Sequence, residues 1–410
     1  MKKCLALTAL LLAGAATQAA DLRPITHEDV WLAKRLSAPQ VSPDGKWIVF
    51  LVSQPAYDDK DKSADLWIVP ASGGAAARRL TETLGAEADV AWSDDSTRIV
   101  FVAKRTGDEA AQVYALDLAQ GGEAHRLTSA AQGARSPVLS PDGRQLAYVS
   151  DVPDDPKAAG HKYQARAYDS FPIRNWDRWL DDRQPHVLVL DLPEPGNAPA
   201  EPRSLLAGSQ LLANRGYSGR VSDTGQDLDA TWAPDGRAVL FVASVDRDRA
   251  AYAFTSAQVY RVALTGGEPQ ALTQGPDQWA EPRFSPDGRT LLARVERQGD
   301  KVYNRGQLAQ LDPAGRTAPR WLTASVDLSV GRYGIAPDSR RAFFLAEQDG
   351  REKLFELQLA TGRVRQALPQ ERGAYTGLSI AERGRAGAVA MVANWESANQ
   401  PPEVVRLDLA

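Results

Sequence analysis

Cysteine is almost missing from this chain of 410 residues: the only one, Cys4, lies within the first few positions. A disulfide framework and a thiolate metal site are excluded on that ground. Histidine is scarce too. His27, His125, His161 and His186 show no H-x-x-x-H spacing and have no obvious nucleophile beside them in sequence, so each reads as structural or solvent-facing. No cofactor pattern is present and no cofactor is expected. Positive charge is not in excess: 48 Lys and Arg stand against 52 Asp and Glu, with no basic tract. That removes the bulk electrostatic case for a nucleic-acid partner. After residue 20 no apolar run reaches membrane length, so no membrane association is expected of the mature chain.

The first twenty residues are of a different material. Lys2 and Lys3 precede the apolar run CLALTALLLAGAA and the small-residue end TQAA. A positive start, a short apolar stretch and a cleavage site near Ala20 make a secretory leader over 1–20. Cys4 precedes the apolar run, which argues against a lipoprotein. Loss of the leader takes the net charge from −4 to −6 and leaves no thiol. The chain is expected in the periplasm or outside the cell.

Glycine and proline, 32 and 26 residues, are where the organisation shows. VSPDGKWIVF at 41–50 returns as LSPDGRQLAY at 139–148 and FSPDGRTLLA at 284–293. Degenerate copies occupy 92–103, 232–243, 335–346 and 380–393, so the third turn residue falls at 44, 95, 142, 235, 287, 338 and 383. Proline pre-sets a type I turn and glycine takes the left-handed conformation that closes a tight hairpin. Each copy therefore reads as a bend between strands A and B. A second signature follows most copies, as in DLWIVPASGGAAARRLT at 65–81 and QVYRVALTGGEPQALT at 258–273: strand C, a glycine turn, strand D.

A period near fifty residues holding four antiparallel strands is a propeller blade. The expected fold is all-β, a seven-bladed β-propeller over 38–410 of four-stranded antiparallel blades. The last blade is incomplete, because 377–410 supply only A, B and C, and the chain is read as cut or split from a longer protein. A short helical segment over 21–37 precedes it, with Thr26 as N-cap and Val30, Leu32 and Ala33 as a weak apolar face. It either closes the end of the ring or docks another domain.

One interval is anomalous. Between strands B and C of the third repeat, 152–185 form an insertion, whereas the other B–C connections are expected to take roughly seven to fourteen residues, and loops of that greater length are commonly functional. Tyr163, Tyr168, Phe171, Trp176 and Trp179 argue against disorder there.

The exported leader, the THEDVWLAKRLSAPQVSPDGKWIVF opening, the repeated SPDG and GG…LT units and AYDSFPIRNWDRW inside the third repeat together resemble the propeller half of prolyl oligopeptidase-family serine peptidases, nearest the acylaminoacyl-peptidase and dipeptidyl-peptidase five branch. The resemblance covers 21–410. It implies a separate α/β-hydrolase domain bearing a serine on a G-x-S-x-G elbow. No such elbow occurs here: RGYSGR around Ser218 has Arg220 where the second glycine belongs. No catalytic residue is assigned, and the chain alone is expected to be inactive.

Two readings of function follow. In the first the propeller gates a serine peptidase acting on short peptides, its partner being a hydrolase domain of the same or a split polypeptide. In the second it is a stand-alone TolB-like periplasmic propeller that binds a protein partner. The insertion leaves the blade on the face opposite the SPDG turns, where the resemblance places the hydrolase. The candidate substrate-binding residues are Trp176 and Trp179, as rigid apolar surface, and Asp177, Asp181 and Asp182, as attractors of a peptide ammonium. The blander alternative is that the tryptophans pin the insertion to its blade and the acids are solvated. Asp154 and Asp155, like Asp181 and Asp182, could also imitate a glycosidase pair, but adjacent loop carboxylates are usually only hydrated.

Overall fold

The computed structural model describes residues 23–410 apart from 84, 120, 154–167, 169–170, 176, 193–199, 223–224, 300–302, 384–388 and 410. The leader, His161, Tyr163, Trp176 and the Asp154–Asp155 pair lie outside the described residues. Among the described residues the chain is all-β with one short α-helix, His27–Trp31, and two 3₁₀ turns, Asp59–Asp61 and Arg247–Arg249.

Each of the first six repeats of the sequence is an antiparallel sheet in the order A-B-C-D, and the seventh contributes three strands among the described residues. In the first repeat these are Arg35–Val41, Trp47–Gln54, Ser63–Pro70 and Arg78–Arg79. A short parallel contact of Ser63 and Ala64 with Gly85 and Ala86 joins the first two sheets.

The SPDG turn works as its composition dictates. Ser42 Oγ donates to Asp44 Oδ1 at 2.6 Å and accepts from Trp47 N at 3.0 Å, Gly45 N donates to Ser42 O at 2.8 Å, and Gly45 has φ +73°. The same Ser–Asp bond recurs at Ser93–Asp95, Ser140–Asp142 and Ser285–Asp287. The strands that flank these turns are apolar at consecutive positions, since a strand buried on both faces has no solvent side to alternate with. Ile48 and Val49, Leu291 and Leu292, and Phe343 and Phe344 each point to opposite neighbours.

One apolar core fills the gap between each sheet and the next. Val49 and Leu66 of the first sheet meet Phe101 of the second. The chain then closes on itself, because Val41, Ile48 and Phe50 of the first sheet share a core with Ala381 and Val392 of the last. Polar bonds reinforce the closure: Arg383 N donates to Pro43 O at 2.7 Å and Val41 N to Ser379 Oγ at 3.1 Å.

Some boundaries differ from the sequence reading. The helix covers only five residues of the 21–37 segment, and Arg35 already pairs with Ser53. Thr26 caps it in a capping box with Asp29, but no helical residue is buried, so the helix does not plug the ring. In the third repeat nine consecutive pairs run from Gln145↔Asp191 to Pro153↔Arg183, which moves 152–153 and 183–185 out of the insertion and into the ladder. In the sixth repeat the B–C connection is only Asp349-Gly350, with φ +55° and +69°, the pair that a two-residue primed turn selects.

Candidate functional site

In a four-stranded antiparallel sheet the A–B and C–D turns share one end, and the B–C connections and interstrand entries share the other. The second end is where this molecule leaves apolar surface in solvent. Of eleven exposed large apolar side chains among the described residues, Trp47 alone lies at the SPDG end. Ile25, Val30, Trp31 and Leu32 belong to the N-terminal segment. Tyr57, Tyr252, Phe254 and Tyr303 stand on B–C connections, and Phe171 and Trp179 on the third-repeat insertion. Exposed apolar groups gathered on one face mark an interaction surface, whereas scattered ones do not.

At one side of this face the helix and the first B–C connection build a stack: His27 on Trp31 at 5.9 Å and Trp31 on Tyr57 at 6.4 Å. Beneath it lies a groove of about 490 Å³ bordered by Trp31, Pro55, Ala64 and Ala86. The helix therefore presents its apolar residues outward rather than to the ring.

The insertion stands further round the face. Arg174–Asn175 and Arg178–Trp179 form a small hairpin with Asp177 exposed in its turn. Trp179, 52% exposed, stacks on Tyr168 at 6.4 Å, and the Tyr168 hydroxyl donates to Leu180 O at 2.6 Å. Asp181 is engaged: its carboxylate accepts from Arg183 Nε at 2.7 Å, and that bond is the chief reason the Arg183 pKa is raised. Asp182 is exposed and adds a weaker pull on the same guanidinium. The structure thus places Asp177 and Trp179 on the hairpin and Asp181 in an ion pair at its root, while Trp176 lies outside the described residues. Below, Tyr217 is fully buried and its hydroxyl donates to Pro185 O at 2.7 Å, tying the root to the next segment.

The RGYSGR stretch is a crossing, not a nucleophile elbow. Ser218 is 5% exposed and exchanges both main-chain bonds with Ser244, at 3.1 and 2.9 Å. Its flanking glycines serve close approach: a Cβ on Gly216 would stand 2.2 Å from Val245 O, and one on Gly219 2.4 Å from Asp227 O. His186 has a spatial partner the sequence does not show, its Nδ1 lying 2.7 Å from Ser204 Oγ across strands C and D. Ser204 Oγ in turn accepts from Leu206 N at 3.2 Å, so the pair ties two strands together. Among the described residues no group of three or more His, Cys, Asp or Glu could hold a metal, and no helix is long and apolar enough to cross a membrane.

The sequence reading passes over the fourth B–C connection, 244–257. Its mixture of aspartate, arginine and aromatic residues was the available signal, and the structure sets Tyr252 and Phe254 on the exposed face there.

Comparison with known proteins agrees with this architecture. The TolB beta propeller domain model matches residues 28–166. Dipeptidyl-peptidase 5 of Porphyromonas gingivalis is 25% identical over 369 residues, which cover 87% of this chain and 51% of that protein. Among solved structures, acylaminoacyl peptidase of Pyrococcus horikoshii superimposes with a TM-score of 0.66 at 16% identity, covering 93% of this chain and 52% of that one. The β-propeller domain of the Trilobed protease from Pyrococcus furiosus, which has an open velcro topology, gives 0.60 at 14% identity, covering 92% and 95%. The chain spans about half the length of the curated relatives that it matches along most of its own. It is a β-propeller, a sequence relative of dipeptidyl-peptidase 5 that shares its fold with the propeller parts of acylaminoacyl and related peptidases.

Proposed function

We propose that this chain is the substrate-gating propeller of an exported serine peptidase that acts on short peptides. In this reading it is a ring of seven blades, the last of three strands, and the catalytic serine belongs to a hydrolase domain seated on the face that carries the B–C connections. The concentration of exposed apolar side chains on that face carries the reading, since apolar area gathered at one end marks a surface that another domain or protein covers. The relatives' names supply the reaction class, and the leader supplies the compartment. Asp177 and Trp179 of the insertion hairpin then stand at the rim of the enclosed space, where a peptide would pass.

The test is reconstitution. The purified chain is mixed with the part of the Porphyromonas gingivalis relative that it does not match, and association is followed by sedimentation. A complex that weakens about tenfold when Trp31 and Tyr57 are both changed to glutamate is the expected result, as for buried aromatic anchors in an interface. Absence of a complex, or one indifferent to these changes, would favour the propeller that binds a different protein on its own.

A further inference from the structure

Between the fourth and fifth sheets the same face opens into a cavity of about 370 Å³, within the range that holds small ligands. It is built in advance. Asp246 folds the 244–257 connection into a rim by accepting Ser244 Oγ at 2.6 Å and, from Ser256, the main-chain N–H and the hydroxyl, each at 3.0 Å. Ser218 and Ser244, both nearly buried, line it, and Ala243, Ala257 and Ala280 contribute small apolar surface between its polar groups.

Three arginines line this cavity, and two have acidic partners. Arg220 donates to Asp229 at 2.6 Å, and Arg294 donates to Glu296 at 3.2 Å and stands 3.5 Å from Glu281. The third, Arg247, is half-buried; burial lowers its pKa, against the longer-range attraction of Asp181 and Asp248. Asp181 is itself committed to Arg183, so it offers Arg247 only part of a counter-charge. One further donor lacks an acceptor. Trp279, 3% exposed and part of the cavity lining, has an indole Nε1 that is buried with no acceptor among the described residues. A buried N–H without an acceptor costs stability, and a guanidinium is a two-pronged match for a carboxylate.

We propose that this cavity binds the C-terminal end of a short peptide, with Arg247 pairing to the carboxylate and Trp279 Nε1 donating to a peptide carbonyl. The peptide as ligand class rests on the peptidase reading above; the preference for a free carboxylate rests on the cavity alone. Of the acids around the cavity and Arg247, Asp229, Glu296, Asp246 and Asp181 are each held by an arginine or by hydroxyl and main-chain donors, and Asp248 is exposed to solvent, which limits their repulsion of an incoming anion.

The experiment uses the full chain by itself, so that failure of a hydrolase domain to dock does not enter. Trialanine with a free carboxylate and trialanine C-terminal amide are titrated by calorimetry. The acid should bind saturably and the amide about tenfold more weakly, the order of one charge-assisted pair. Arg247→Ala should bring the acid down to the amide's level, and Trp279→Phe, which keeps the ring and removes the N–H, should weaken both peptides alike. Thermal midpoints identify any variant that has lost the fold, and either variant alone suffices for the test. Equal binding of acid and amide, binding of the acid unchanged in folded Arg247→Ala and Trp279→Phe, or no binding of trialanine at all overturns the proposal.

Discussion

Ser96 Oγ accepts the main-chain N–H of Asp44 at 3.0 Å, so the turn of the second repeat holds the turn of the first. Ser339 does the same for Asp287, at 3.1 Å, between the sixth and fifth. Both serines occupy the turn position that glycine fills elsewhere, and both have positive φ, +64° and +55°. The hydroxyl explains why a residue with a Cβ is tolerated in that conformation. Ser96→Ala keeps the strain and loses the bond, and is expected to cost about 1–2 kcal/mol. Ser96→Gly loses the bond but relieves the backbone, so its midpoint in urea should stay within about 0.5 kcal/mol of the parent.

The threonine of the LT signature has a role that the pattern alone does not reveal. Thr81, Thr128, Thr273 and Thr323 each accept, through Oγ1 and at 2.9 Å, the N–H of a strand C residue: Leu66, Val113, Val259 and Leu308. Thr273 also donates to Gln258 Oε1 at 2.7 Å. Thr273→Val keeps the volume and strands two buried polar groups, so a loss of about 2 kcal/mol in chemical denaturation is expected. An unchanged midpoint would show that water replaces the hydroxyl.

Gly216 and Gly208 separate two reasons for glycine. A Cβ on Gly216 would collide with Val245 O, whereas one on Gly208 meets nothing within 4 Å but sits at φ +75°. Gly216→Ala should cost about 3 kcal/mol through displaced backbone. Gly208→Ala should cost about 1 kcal/mol through conformation alone. Thermal unfolding of the two variants side by side is the measurement.

Glu87, 2% exposed, has its pKa raised above the ordinary 4.5 chiefly by burial, against hydrogen bonds from Thr83 and Thr81. Its Oε2 has no partner among the described residues. A carboxyl that holds its proton more tightly when folded makes the native state bind more protons than the unfolded one, so stability falls as pH rises from about the ordinary value through the folded pKa. Glu87→Gln should flatten that part of the stability–pH curve and leave the variant relatively more stable at neutral pH. A curve whose slope is unchanged would assign the dependence to other acids.

The repeat, the strand order within each sheet and the hairpin turns were legible in the sequence, because they are local. Proline, aspartate and glycine fix a turn within four residues, and a doubly buried strand must be apolar at consecutive positions, as at Ile48-Val49 and Phe343-Phe344. The N-cap at Thr26 was legible for the same reason, though its capping-box bond with Asp29 was seen only in the structure. What tertiary structure decided involves partners far apart in the chain. The closure of Val41 onto Val392, the bond of Ser96 to Asp44 and the meeting of Arg247, Trp279 and Ser218 around one cavity depend on how successive sheets face each other. So does the outward turn of Val30 and Leu32, which helical periodicity puts on one apolar face but cannot orient. A side chain's hydrophobicity sets that it prefers cover; only the packing of the whole ring determines whether the cover comes from within the chain or is left for something else to provide.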